Sequence, residues 1–277
     1  MPAEPQRRCP DVLESLPPLP PVALRVVQVT QDPRASAADL ATVVASDPAL
    51  SARILRVANS AAYRAVQEVT SVQAALVRLG FVQARNIALS AALTGAYAPD
   101  QRNALFRIDE FWRHSLAVAF RSAELAAQRP QLDVPTAFTA GLLHDIGRLA
   151  LYYADPAGMD QAVAAVLAGT ATLEAAELAE TGYRHGDVGG ALCRRWGLPE
   201  RIAEAAAGHH DHKPSSAYAA LVAEADGFCT AAGFLPGYVL PPAAGTKRAW
   251  PPAAEGLARQ VEGLMQLICE PAVGVRR

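Results

Sequence analysis

Apolar residues recur along this chain at intervals of three and four, which is the period of an amphipathic helix and not of a strand. The clearest example runs from Ser71 to Gly80, where Ser71 is suited to begin a helix and Gly80 to end it. The apolar residues that share one helical face there are Val72, Ala75, Leu76 and Leu79. Alanine and leucine, both good helix formers, are abundant throughout. The sequence therefore predicts an all-α fold.

Turn signals divide the first hundred residues into short helices. Asp47-Pro48 pairs a capping carboxylate with a proline at the first helical position, and further turns are expected at Asp32-Pro33 and around Thr70. The run Pro99-Asp100-Gln101-Arg102-Asn103 then interrupts the pattern. Longer helices are predicted after it, at 106–128, 135–153, 159–168, 173–180, 185–196, 199–209, 216–232 and 255–269.

Two pairs of prolines mark the last part of the chain. Pro241-Pro242 and Pro251-Pro252 cannot propagate a helix, so an extended connector is expected from Phe234 to Pro252. We therefore predict a two-lobed helical bundle made of residues 12–100 and 101–235. A Pro-rich connector and a C-terminal helix should follow at 236–277.

The charge balance and the apolar runs argue against several kinds of partner. With 25 Lys and Arg against 27 Asp and Glu, the net charge is −2, so no global field attracts nucleic acid or an acidic membrane. The N-terminus lacks the apolar stretch of a signal peptide, and no run reaches the ~18 apolar residues of a membrane span. The four cysteines form no Cys-x-x-Cys pair. We expect a reduced, cytoplasmic protein that contacts no membrane and whose charge disfavours nucleic acid as a partner.

Polar residues in otherwise apolar helices are the strongest indication of a site. Glu110 and His114 are four residues apart, which places a carboxylate and an imidazole on one helical face. His144 and Asp145 interrupt the apolar run from Gly141 to Gly147. Burying both side chains costs several kcal/mol unless each finds a partner, and one bound cation would serve both.

Later histidines and a further aspartate extend this set. The eight candidate metal ligands are Glu110, His114, His144, Asp145, His185, His209, His210 and Asp226. Mixed imidazole and carboxylate ligands suit iron, manganese or zinc better than calcium or magnesium. Singly, His114 could be a hydrogen-bonded core histidine, and His144 with Asp145 a buried ion pair. Together the eight are expected to converge on one cavity, either around a divalent metal or joined directly by hydrogen bonds. His212 is expected in a solvated loop.

Seven short motifs follow one another between residues 13 and 230. They are Leu16-Pro17-Pro18-Leu19-Pro20, Asp47-Pro48-Ala49-Leu50-Ser51-Ala52-Arg53, Ala58-Asn59-Ser60-Ala61-Ala62-Tyr63, Ala75-Leu76-Val77-Arg78-Leu79-Gly80, Phe111-Trp112-Arg113-His114-Ser115, Gly141-Leu142-Leu143-His144-Asp145-Ile146-Gly147 and Trp196-Gly197-Leu198-Pro199-Glu200. In this order they resemble the HDOD family. The resemblance implies two helical lobes, the second built on an HD-domain core. It also implies a bacterial regulator, found alone or joined to receiver, cyclic-di-GMP or kinase modules.

The eight candidates are also similar to the ligand set of the HD-GYP phosphodiesterases. This resemblance implies that all eight are metal ligands and that Asp145 bridges two metals. The chain departs from the HD-GYP pattern at two places, both of which are expected to face the substrate. After His209-His210 the chain reads Asp211-His212-Lys213-Pro214-Ser215-Ser216 instead of Glu-x-x-Asp-Gly-x-Gly-Tyr-Pro. Arg148 stands where that family has a lysine. These departures argue against cyclic-di-GMP hydrolysis and leave metal binding open.

Three functions are compatible with these observations. The main expectation is a signal-transduction module that acts through contacts with signalling proteins, with any metal serving as a clamp between helices. The second is a metal-dependent phosphohydrolase acting on a nucleotide or phosphoester, in which Arg148 is either a phosphate contact or a solvated surface arginine. The third is a helix-turn-helix protein, for which the phosphate contacts would be the sparse set Arg53, Arg56, Arg64, Arg78 and Arg85.

Overall fold

The computed structural model describes residues 9–32, 34–63, 67–97, 105–214, 216–239 and 250–269. Within these ranges the chain forms fifteen α-helices and one short 3-10 helix and has no β-strand, so the all-α prediction is confirmed. In chain order the α-helices are α1 (Cys9–Ser15), α2 (Pro21–Gln31), α3 (Ala37–Ala45), α4 (Pro48–Ala58), α5 (Val72–Leu79), α6 (Phe81–Ala96), α7 (Ile108–Ala127), α8 (Val134–Leu143), α9 (Ile146–Ala154), α10 (Pro156–Leu167), α11 (Leu173–Thr181), α12 (His185–Arg195), α13 (Glu200–Gly208), α14 (Ala217–Ala231) and α15 (Glu255–Cys269). The 3-10 helix, Pro252–Ala254, directly precedes α15. None of the helices in these ranges combines the length and apolar character that crossing a membrane requires.

The helices group into two compact units. One takes its described residues from Met1–Pro18 and Pro99–Glu255, the other from Leu19–Ala98 and Gly256–Arg277. The predicted boundary at Pro99 to Asn103 and the Pro241-Pro242 pair lie outside the described residues. The division into 12–100, 101–235 and 236–277 stays a prediction.

Helices α2 to α6 belong to one unit, in which α6 is the longest and is buried continuously from Ala84 to Thr94. Helix α2 packs on α3 and α6, while α4 packs on α5 and α6. The predicted helix starts are present, because Asp47 accepts a hydrogen bond from the backbone N–H of Leu50 at 2.9 Å and Ser71 caps α5 in the same way. Gly80 ends α5 with a φ of 74°, which favours glycine.

Helices α1 and α7 to α14 form the other unit. Helix α7 packs along α8 and α14, and α12 packs on α9 and α13. Helix α1 joins them by contacting α9 and α12. It buries Val12 and is followed at once by the buried Leu16, while the Ser15 hydroxyl donates a hydrogen bond to the carbonyl of Ala150 at 3.2 Å.

The single helix predicted over 135–153 is wrong, because the chain breaks it at His144 and Asp145. His144 Nδ1 donates a hydrogen bond to the carbonyl of Gly141 at 2.7 Å. In a continuous helix that carbonyl would accept from the backbone N–H of Asp145. The imidazole therefore takes the place of a helical hydrogen bond, and two adjacent polar side chains lie in a buried turn between α8 and α9.

A capping aspartate fixes the start of α8. The Asp133 carboxylate accepts hydrogen bonds from the backbone N–H and the hydroxyl of Thr136, at 2.8 and 2.6 Å. We expect Asp133→Ala to lower the free energy of unfolding by about 1 kcal/mol in urea denaturation, because the cap is lost. Asp133→Asn keeps a carbonyl acceptor and should lose much less. Equal losses in the two variants would argue against a capping role.

Candidate metal centre

Seven of the eight candidate ligands come together in the structure. They form two groups, and within each group one ligand atom per residue lies within 4.8 Å of the others. The His114 group consists of His114, His144 and Asp226, and the His185 group consists of Asp145, His185, His209 and His210.

The Asp145 carboxylate belongs to the His185 group and also lies next to the His114 group. Its Oδ1 is 3.3 Å from His185 Nε2 and 3.4 Å from His209 Nε2. Its Oδ2 is 3.5 Å from His114 Nε2 and 3.4 Å from His144 Nε2. One carboxylate thus presents a different oxygen to each group.

Glu110 belongs to neither group of ligand atoms among the described residues. It is buried one turn before His114 on α7, and its carboxylate lies 3.4 Å from Arg113 Nη1. Its role as a ligand stays a prediction.

The groups are assembled from helices and turns together. His114 and Asp226 lie on α7 and α14, and His185 begins α12. The other four candidates, His144, Asp145, His209 and His210, lie in turns, although all but His210 fall within predicted helices. His212 is exposed outside any helix, as predicted.

Hydrogen bonds fix the orientation of four imidazoles. Each Nδ1 faces an oxygen that can only accept: the Phe234 carbonyl for His114 at 2.9 Å, the Gly141 carbonyl for His144 at 2.7 Å, the Glu177 carboxylate for His185 at 2.5 Å and the Ala206 carbonyl for His209 at 3.1 Å. Each Nδ1 therefore carries the proton, and in the neutral ring each Nε2 presents a lone pair to the centre.

These lone pairs face one another and a carboxylate. His114 Nε2 lies 3.1 Å from His144 Nε2, and His185 Nε2 lies 3.4 Å from His209 Nε2. Asp145 Oδ1 is buried and has no hydrogen-bond partner among the described residues. Converging acceptors of this kind repel one another unless a cation lies among them, so the donor set fits a divalent metal ion.

Burial keeps two of the histidines, His144 and His209, in the ligating form. It lowers the pKa of His144 to about 3 and also lowers the pKa of His209, although Asp145 acts in the opposite direction on both. Burial alone would raise the pKa of Asp145, but the positive charge of Arg148 outweighs it and holds that pKa well below its usual range. Neutral imidazoles beside an ionised carboxylate are the protonation states that bind a metal.

A buried ion-pair network adjoins the centre. Arg148 Nη1 contacts Asp145 Oδ2, and Arg148 Nε donates a hydrogen bond to Glu177 Oε1 at 2.7 Å. The other Glu177 oxygen accepts the hydrogen bond from His185. Arg148 is only 2% exposed, so its interpretation as a solvated surface arginine is wrong.

Glu177 is the site residue that sequence reasoning missed. Leu173, Ala176 and Glu177 share one face of α11 at helical spacing, so the carboxylate falls on the apolar side, and all three are buried. Burial alone would raise the pKa of Glu177, but its contacts with His185 and Arg148 outweigh burial, so the pKa is lowered.

A cleft of about 410 Å³ opens beside the His185 group, lined in part by His185, His210 and Arg184. His210 is exposed, and its Nδ1 lies 2.9 Å from a Glu174 carboxylate oxygen. The cleft therefore borders this side of the centre.

The arginines considered for nucleic-acid binding make contacts within their own unit. Arg53, Arg56, Arg78 and Arg85 each donate to a carbonyl or amide oxygen of that unit, at 2.5 to 3.4 Å. Arg64 lies outside the described residues.

We expect the metal-free protein to lose stability as the pH falls from 7 to 5. The unfolded chain protonates His144 near its ordinary pKa of 6.5, whereas the folded protein resists protonation down to about 3. The stability that this group contributes is therefore complete above pH 6.5 and is lost as the pH falls from 6.5 towards 3. The loss between pH 7 and 5 should be about 2 kcal/mol from His144, and His209 acts in the same direction.

Urea denaturation at pH 7, 6 and 5 in the presence of a chelator measures this loss. His144→Asn should flatten the dependence, whereas His212→Gln, at an exposed position, should leave it unchanged. A pH-independent free energy of unfolding over this range would contradict the expectation.

Comparison with known families and structures shows what the chain resembles. A family model described as the HDOD domain matches residues 16–212. An HDOD domain protein from Geobacter sulfurreducens has 27% sequence identity and a TM-score of 0.71, with 95% of this chain and 92% of that chain covered. A Marinobacter aquaeolei VT8 protein, which is provisionally described as a signal transduction protein, has 27% identity and a TM-score of 0.69. The match covers 96% of this chain and 60% of that chain.

Two further proteins are described by their catalytic class. A Shewanella amazonensis SB2B protein, provisionally described as a phosphohydrolase, has 25% identity and a TM-score of 0.66, with 94% of this chain and 88% of that chain covered. Ribonuclease Y of Thermus thermophilus is 33% identical over 120 residues, which cover 43% of this chain. The chain spans only 16% of that ribonuclease and 40% of a matching Treponema pallidum protein.

Proposed function

This chain belongs to the HDOD domain family, and on that basis we propose that it is a bacterial signal-transduction protein that acts as a regulatory module through contacts with other signalling proteins. Its His/Asp centre holds iron, manganese or zinc as a clamp between helices. The resemblance to the Marinobacter signal transduction protein supports the regulatory role.

One observation carries this proposal: ligand atoms from widely separated helices converge on Asp145. The two groups draw side chains from α7, α12 and α14, from the turn between α8 and α9, and from the end of α13. Arg148 and Glu177 tie α9 and α11 to the same carboxylate and to His185. An ion bound here would cross-link most of the helices in this unit, and such binding energy adds to folding energy.

Elemental analysis of protein purified without added metal tests the centre. We expect iron, manganese or zinc at close to one ion per chain or more. Chelation should lower the melting temperature, because a ligand that binds only the folded state stabilises it. Metal-free protein whose melting temperature does not respond to these ions would contradict the clamp.

A metal-dependent phosphohydrolase is the second candidate, and the cleft beside His185 and His210 favours it. A bound divalent cation would supply Lewis-acid activation of water and of a phosphoryl oxygen. In this function His185 and His210 would line the approach of the phosphoester, and Arg184 would offer a positive charge at the wall of the cleft. The resemblance to the Shewanella protein supports this alternative.

Hydrolysis of bis(p-nitrophenyl) phosphate and of common nucleotides separates the two functions. The regulatory proposal expects the manganese-loaded protein to show no more turnover than its Asp145→Ala variant. Turnover well above that background would favour the phosphohydrolase.

The remaining parts of the proposal concern setting and architecture. We infer a cytoplasmic protein whose partners are signalling proteins and not nucleic acid. We also propose that residues 12–100 and 101–235 are the two lobes of the HDOD domain, with residues 236–277 as a connector and C-terminal helix.

A further inference from the structure

We propose that α11 is the positioning helix of the His185 group, in which Glu177 and Glu174 hold the Nδ1 atoms of His185 and His210 and leave both Nε2 atoms to an ion. Among the described residues the two carboxylates contact ligands without belonging to either ligand group. This inference rests on the proposed metal centre and adds the residues that hold part of it in place.

The sequence of α11 brings both carboxylates to the same side of one helix. Glu174 and Glu177 are three residues apart, so they lie one above the other on neighbouring turns. Gly182 ends the helix with a φ of 80°, a conformation that favours glycine. His185 follows three residues later as the first residue of α12. The turn therefore returns this ligand to the helix that supports it.

Glu177 divides its two oxygens between a ligand and a fixed cation. Oε2 accepts a hydrogen bond from His185 Nδ1 at 2.5 Å, and Oε1 accepts one from Arg148 Nε at 2.7 Å. Glu177 is fully buried, so water does not compete for either bond. With Nδ1 engaged, His185 Nε2 lies 3.3 Å from Asp145 Oδ1, and an ion between these two atoms would meet an imidazole that already faces it.

Glu174 holds His210 in the same way at the edge of the cleft. One oxygen of its carboxylate lies 2.9 Å from His210 Nδ1. An ionised carboxylate can only accept, so Nδ1 carries the proton and Nε2 keeps the lone pair that binds a metal. Solvent reaches both side chains, so this bond contributes less than the buried one to Glu177.

The charges around the His185 group also favour a cation. Arg148 brings a positive charge that acts on His210 as well as on Asp145. Among the described residues, the carboxylates of Asp145, Glu174 and Glu177 contact histidines of this group and outnumber that guanidinium. An imidazole bonded to a carboxylate is a stronger donor to a metal, so Glu174 and Glu177 act on affinity as well as on orientation.

The protonation of the imidazoles tests the positioning role directly. A carboxylate that merely neutralised Arg148 would leave the tautomers unchanged. Long-range ¹H–¹⁵N spectra of the full-length, metal-free protein report the tautomer of each of its six histidines, and His210→Asn identifies the signal of His210. At about pH 8.5, above the ordinary imidazole pKa, the His210 proton should lie on Nδ1. Glu174→Leu should convert this signal to a mixture of tautomers, and Glu174→Gln, which keeps an acceptor oxygen, should retain it.

Calorimetric titration with Mn²⁺ measures the effect on affinity. The binding step of the His185 group is the one that His209→Ala removes. Glu177→Gln leaves one acceptor oxygen for two donors, so the Kd of this step should rise about tenfold or more. Glu174→Leu should raise it about threefold, since solvent already weakens that bond, and Glu174→Gln should restore most of the wild-type affinity.

Glu180 provides a matched control on the same helix. Its side chain is exposed, and Glu180→Leu makes the same substitution as Glu174→Leu one turn beyond Glu177. This variant should leave the tautomers and the Kd unchanged.

An unchanged His210 tautomer in Glu174→Leu, or equal losses of affinity in Glu174→Leu and Glu180→Leu, would overturn the inference alone. Mn²⁺ binding that His209→Ala does not affect would do the same and leave the rest of the centre intact. No Mn²⁺ binding by the wild type would overturn the proposed metal centre as well. If Glu177→Gln does not fold, as judged by circular dichroism, the variants of the solvent-accessible Glu174 still decide.

Discussion

Gly147→Ala is expected to lower the free energy of unfolding by about 3 kcal/mol, the upper end of the usual cost of overpacking a core. Helices α9 and α12 cross closely at this glycine. A β-carbon there would overlap the carbonyl oxygen of His185 and lie 2.7 Å from the backbone nitrogen of Gly189. Both neighbours are backbone atoms of a packed helix, so the clash can be relieved only by moving α12. His185 would move with it, and Mn²⁺ affinity should fall as well.

Gly227 provides the matched control in the same unit. It lies within α14, it is exposed, and a β-carbon there would meet nothing within 4 Å. Gly227→Ala should therefore raise the free energy of unfolding by up to ~1 kcal/mol, because alanine favours the helix. Urea denaturation measures both variants. If Gly147→Ala proves as stable as the wild type, the close approach of α9 and α12 is not required for the fold.

Asp145→Ala is expected to abolish metal binding and to lower the free energy of unfolding of the metal-free protein by about 3 kcal/mol. The first effect follows because each group uses one oxygen of this carboxylate. The second follows because Arg148 is buried and would keep only Glu177 as a charged partner among the contacts described above. Removing one member of a buried ionic network leaves the others desolvated and incompletely paired.

Elemental analysis and urea denaturation in chelator measure the two effects separately. Asp211→Ala removes a nearby carboxylate that is exposed and should change neither quantity appreciably. Asp145→Asn keeps the volume of the side chain and should lose metal with a smaller loss of stability. Metal retained at wild-type stoichiometry in Asp145→Ala would exclude this carboxylate as the shared ligand.

Much of the helical architecture could be predicted because its signals are local. The cap at Ser71, the Asp47-Pro48 start and the glycine stop at Gly80 each act within one turn of the chain. The convergence of His114, His144 and the other ligands could be anticipated for an energetic reason, since buried polar groups need partners wherever the fold places them.

Other features depend on contacts that no local pattern contains. At the break the imidazole of His144 donates a hydrogen bond to the Gly141 carbonyl. The spacing of apolar residues in the sequence does not indicate this contact. The partners of Arg148 lie 3 positions away at Asp145 but 29 positions away at Glu177. The position of Glu177 on the apolar face of α11 could be predicted from the sequence, but its ion-pair partner Arg148 on α9 could not.

The docking of α1 has a consequence for synthesis of the chain. Ser15 bonds to Ala150, and α1 packs on α9 and α12, so its partners are translated about 130 residues or more after it. At a translation rate of ~5–20 residues per second, the apolar side chains of Val12 and Leu16 stay uncovered for roughly 7 to 26 s, until the residues that bury them have been synthesised. During that interval this short amphipathic segment is a natural substrate for chaperones that bind nascent chains at the ribosome.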